Sequence, residues 1–66
     1  MKIKGVEYEV VLVRTRESIE QTHPNTHKAM LASKQVAQYY IKRPKGNKLF
    51  MVVEYEDGSL SSLVSL

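Results

Sequence analysis

The chain has 66 residues, carries ten lysines and arginines against seven acids for a net charge of +3, and contains no cysteine. That length makes a single domain, residues 1–66, with a thin core. The absence of thiols excludes disulfides and thiolate metal sites, so self-association is the route left by which so small a fold gains stability.

Met1–Gly5 leads into Glu7 and Glu9 rather than into an apolar segment with a small-residue cleavage site. No signal peptide is expected, no run is long enough to cross a bilayer, and a cytoplasmic location follows as the expectation. Val6 to Arg14 reads as a strand with Val6, Tyr8, Val10 and Leu12 on one face and Glu7, Glu9, Val11 and Val13 on the other. A turn at Gly5 would let Met1–Ile3 add a short strand. Thr15 to Asn25 is polar, contains Pro24, and reads as a loop.

A helix is expected from about Asn25 to Arg43, with Asn25 as N-cap or Pro24 at the first helical position, and with Pro44 as its stop. Ala29, Met30, Ser33, Val36, Ala37 and Tyr40 then share the buried stripe. Lys28, Leu31, Gln35, Gln38 and Lys42 cover the solvated side, where one leucine among polar neighbours is ordinary.

Asp57-Gly58 between two apolar runs is a hairpin signal of the type I′ kind. A two-residue turn sets Glu56 against Ser59, Tyr55 against Leu60, Val53 against Ser62, Val52 against Leu63 and Met51 against Val64. Both faces of this hairpin carry large apolar side chains. The expected fold is α+β in the order β-α-β-β, one helix packed on one face of a three-stranded sheet, four-stranded if the N-terminal segment joins. The sheet is antiparallel or mixed in this reading; a parallel relation between the first and second main strands needs a right-handed crossover, which the loop and helix are long enough to make. With the helix on one face, Leu49, Met51, Val53, Tyr55, Leu60, Val64 and Leu66 form the inward set.

The opposite face, Phe50, Val52 and Leu63 together with Val11 and Val13, is the expected partner interface, for a second copy or another protein. One helix cannot cover both sides of a sheet. The competing reading is that the N-terminal segment or the Thr15–Asn25 loop folds over that face. Lys42, Arg43, Lys45 and Lys48, around a turn with Gly46, are the alternative site, contacting phosphates of a nucleic acid. A solvated helix end explains the first two of these cations equally well. His23 and His27 are four apart, but Pro24 between them and the shortage of further ligands argue against a metal. No nucleophile elbow, glycine-rich phosphate loop or H-E-x-x-H pattern is present. The chain therefore reads as a non-catalytic binding protein without cofactor or small-molecule substrate.

Overall fold

The computed structural model describes residues 1–66, a small α+β fold with two helices, a four-stranded antiparallel sheet and a separate two-stranded one. The chain opens with a hairpin of β1 (Lys2–Ile3) and β2 (Val6–Glu7), in which Ile3 lies opposite Val6. Its turn is Lys4-Gly5, with φ of 50° and 81°. Positive φ at both central residues is the type I′ geometry, whose twist matches that of the flanking strands. The hairpin is pinned at its base: the Met1 amino group donates to the Glu7 carboxylate at 3.0 Å and to the Tyr8 carbonyl at 2.9 Å.

Next comes β3 (Glu9–Thr15), so the single strand expected from Val6 is broken at Tyr8, whose ring turns into the core. Thr15 caps a one-turn helix α1 (Arg16–Ile19) inside the expected loop. The Thr15 hydroxyl accepts from the Ser18 amide at 3.2 Å, and the Ser18 hydroxyl accepts from the Thr15 amide at 2.9 Å. Two orphan amides of the first turn are thereby satisfied reciprocally.

Helix α2 (Pro24–Ala32) begins as expected, with Pro24 supplying a fixed φ where no amide is needed. It ends at Ala32 rather than Arg43. The Ser33 hydroxyl donates to the Ala29 carbonyl at 2.7 Å, and Lys34 adopts φ of 61°, the left-handed conformation that terminates helices. Gln35–Lys42 is then strand β4. Val36, Tyr39, Tyr40 and Ile41 are β-branched or aromatic and fit a pleated surface better than a helix.

The sheet order is β3-β4-β5-β6, with β5 at Leu49–Tyr55 and β6 at Val64–Ser65, and every pairing is antiparallel. The sheet is therefore the antiparallel of the two expected arrangements; β3 and β5 do point the same way, but β4 is hydrogen-bonded between them, so no parallel crossover joins them. The β5–β6 turn is also looser than a type I′ turn. Gly58 has φ of 85° while Asp57 has no positive φ, the Gly58 amide bonds the Tyr55 carbonyl, and the Tyr55 amide bonds the Ser59 carbonyl. This is a three-residue loop closed by a glycine bulge. The bulge shifts the register by one, so that Glu54 rather than Tyr55 meets Leu60, whereas Met51 meets Val64 as expected.

The core faces the side opposite to the one expected. Tyr8, Ile41 and Val52 form the buried cluster, with Met1, Ile3, Val6, Tyr39, Phe50 and Leu63 packed against it. The ring of Tyr8 meets that of Phe50 edge to face, with centroids 6.2 Å apart. The N-terminal hairpin therefore covers the face that carries Phe50, Val52 and Leu63. Ile19 and Met30 are buried where α1 and α2 meet the sheet end, with Ala37 and Val53 the remaining buried residues. Only seven of 66 residues are buried, too few to leave much margin in a domain of this size.

Candidate interaction surface

Strand pairing alone builds one row of side chains across the whole sheet: Leu12 opposite Tyr40, Tyr40 opposite Met51, and Met51 opposite Val64. Paired residues project to the same side, and residues two apart along a strand share it. The row thus lies on the face away from the Ile41–Val52 cluster. The neighbouring row runs Glu9, Lys42 and Leu49, and the Leu66 amide bonds the Leu49 carbonyl at 3.0 Å. Leu12, Leu49, Val64 and Leu66 are between 37% and 63% exposed. A contiguous apolar strip of this kind on a sheet face is the usual mark of an interface.

Polar groups frame the strip. The Lys42 ammonium pairs with the Glu9 carboxylate at 3.0 Å, and the Arg14 guanidinium lies 5.4 Å from the centre of the Tyr40 ring. Arg14 thus lies over one member of the strip, and Lys42 is tied to the neighbouring row. On the core face, the Tyr39 hydroxyl donates to the Glu54 carboxylate at 2.7 Å. That bond, with some burial and the adjacent negative charge, raises the Tyr39 pKa above the ordinary tyrosine value.

The expected interface residues separate into two groups. Val52 is fully buried and Phe50 and Leu63 pack on the core cluster, so these three form no open surface. Val11 and Val13 are exposed, and with Val10 and Leu12 they make an unbroken apolar run, each 41–54% exposed, on the outermost strand. The residues expected inward, Leu49, Leu60, Val64 and Leu66, are exposed instead, and of that set only Val53 is buried. A patterning signal at Val36–Lys42, where alternate residues Ala37, Tyr39 and Ile41 face the core, would have revealed β4 and with it the true sidedness.

The basic cluster does not act as four free cations. Lys42 is held by Glu9, and the Lys48 ammonium sits 5.5 Å from the centre of the Phe50 ring. Arg43 and Lys45 are exposed in the β4–β5 loop without an ion-pair partner. The Gly46 amide bonds the Arg43 carbonyl at 2.9 Å, which removes it as a phosphate donor. Arg16, at the opposite end of the sheet, is engaged by Glu56 at 2.7 Å and by the Gln35 carbonyl at 2.6 Å. No group of three His, Asp or Glu side chains is arranged to hold a metal ion.

Two depressions mark the surface. One of about 570 Å³ is lined by Ser33, Lys34, Tyr55, Glu56, Asp57 and Ser59. Its Asp57 carboxylate accepts from the Ser59 hydroxyl at 2.5 Å and from the Ser59 amide at 2.9 Å, which holds its pKa below the usual carboxylate range. These bonds serve the turn. The other, about 290 Å³, lies between the N-terminal hairpin and Ser61–Leu63.

Comparison with family models, with curated proteins and with solved structures finds no match for this chain. No helix is long and apolar enough to cross a membrane.

Proposed function

We propose that this is a non-catalytic interaction protein whose working surface is the open apolar face of its sheet, used to bind a second copy or another protein. The observation that carries the reading is the row Leu12–Tyr40–Met51–Val64, which spans all four strands and has exposed residues at both ends. A core of so few buried residues adds to the argument, because covering the strip would stabilise the fold itself.

Photocrosslinking side chains placed singly at Leu12 and Val64, with Glu17 and Gln21 as exposed polar controls, test the reading in the native cell. Discrete adducts from the two face positions and none from the controls are expected. Adduct patterns indistinguishable between face and control positions, or none from the face, would refute it.

A second reading is a nucleic-acid-binding protein that contacts phosphates with Lys42, Arg43, Lys45 and Lys48. Its support is the exposure of Arg43 and Lys45 beside Lys42, with Arg14 against Tyr40 on the same sheet. Labelled oligonucleotides should then bind with an affinity that falls with salt, and replacing the four cations with alanine should flatten that dependence. Equal salt dependence in the variant removes the loop from consideration.

A further inference from the structure

We infer that the free edge of β3 takes a second copy of this chain, antiparallel, so that two four-stranded sheets join into one. The inference deepens the interaction reading above by seating a second copy on the edge of the sheet, beside the open face.

β3 is seven residues long and has a neighbour on one side only. The opposite edge, β6, is two residues long, and shortness is itself a protection against edge pairing. β3 has the bulge at Val11 but none of the remaining protections at its centre. Val10, Val11, Leu12 and Val13 contain no lysine and no proline and remain about half exposed, the profile of a strand that pairs with another chain. The bulge at Val11 leaves Leu12–Thr15 as the regular stretch. The N-terminal hairpin does not cover this edge, because it lies over Ile41 and Val52 and reaches Ser61–Leu63 on the far side.

Charge fixes the orientation and the occupant. Glu9 ends the run on one side and Arg14 on the other, and both project to the open face, since their β4 partners Lys42 and Gln38 lie four apart. An antiparallel copy brings Glu9 of each strand towards Arg14 of the other, while a parallel copy sets like charges together. Main-chain hydrogen bonds of the new ladder supply affinity, as in strand addition generally. A two-fold axis normal to the sheet keeps both open faces on one side. The two Leu12–Tyr40–Met51–Val64 rows then become a single row across eight strands, twice the platform one chain offers.

Light-scattering mass over a concentration series is the test. Wild type is expected to reach twice its 7.6 kDa, and the paired change Val11→Lys with Val13→Lys to remain a monomer with an unchanged circular dichroism spectrum. Glu9→Arg or Arg14→Glu alone should weaken dimerisation about tenfold, attractive exposed pairs becoming repulsive ones. The double variant E9R/R14E restores opposite charges across the seam but sets a cation beside Lys42, so it should recover affinity relative to either single variant. A monomeric wild type at millimolar concentration overturns the inference and leaves the open face to the crosslinking test. A dimer broken by Val64→Lys but indifferent to Val11→Lys/Val13→Lys, or a double variant that fails to recover, also overturns it. A dimer intact in a protein without face adducts would instead sink the reading of the face and keep the edge.

Discussion

Tyr40 and Ile41 are neighbours in sequence and opposites in environment, which makes the pair a test of the sidedness of the sheet. Ile41 is fully buried between Tyr8 and Val52, while Tyr40 is half-exposed on the open face. Ile41→Ala leaves a cavity beneath the N-terminal hairpin, and truncations of this kind cost about 2–5 kcal/mol. Sixty-six residues at typical per-residue stability amount to roughly 3–10 kcal/mol in total, and the small core places this protein near the lower figure. The variant should therefore lose at least about 10 °C in Tm and populate the unfolded state at 37 °C. Tyr40→Ala removes cross-strand contact with Leu12 and Met51 and the Arg14 stack, worth about 1–2 kcal/mol together. Urea and thermal unfolding followed by circular dichroism measure both. A Tyr40→Ala protein as destabilised as Ile41→Ala, or more so, would show that the assigned core face is the wrong one.

Three further outcomes are expected. Removing Met1–Glu7 strips the cover from Ile41 and Val52, so the shortened chain should bind a hydrophobic dye and lose cooperative unfolding; an unchanged transition would show that the hairpin is dispensable. Tyr39 favours its protonated form in the folded state, so its stabilisation is complete below the ordinary tyrosine pKa of 10.0 and is lost as pH rises through the raised native value. Tyr39→Phe should flatten the stability profile in that alkaline window, and parallel profiles for the two proteins would exclude the Glu54 bond as the cause. Lys34→Gly relieves a left-handed conformation that costs a side chain about 1–2 kcal/mol, partly offset by glycine's greater unfolded-state entropy. A Tm gain of a few degrees is expected, and a loss would mean the Lys34 side chain contributes contacts of its own.

What could be read from the sequence follows the locality of each signal. Asp57-Gly58 locates a turn because its chemistry is local, but the loop is one residue longer than expected, and Met51 meets Val64 only because a second offset beyond Leu60 restores the register. The start of α2 was legible for the same reason, Pro24 acting on its own dihedral. The end of α2 was not. Met30, Ser33, Ala37 and Tyr40 satisfy a helical period, although Ala37 and Tyr40 lie on opposite faces of β4, and the stop is made by a serine hydroxyl and a lysine in an unusual conformation, with no glycine to announce it. Once β4 is mistaken for helix, the cover of the sheet is assigned to the wrong element and both faces exchange roles. Val52 and Leu63 then look exposed and Val64 looks buried, although the alternation within β5 is legible; in β3 the bulge at Val11 sets Val10 and Leu12, expected on one face, on opposite faces. Val11 and Val13 escape this error because their exposure comes from lying on the outermost strand.

Amide and methyl NMR spectra recorded over a dilution series address the open face most directly. Concentration-dependent shifts are expected along the amides of Val10–Val13 and at Leu12, with Ile41, Val52 and the 43–48 loop unmoved; shifts centred on Met51 and Val64 would seat the second copy on the face and overturn the edge pairing. Spectra that do not change from micromolar to millimolar concentration, or shifts confined to the loop, would contradict self-association through this surface.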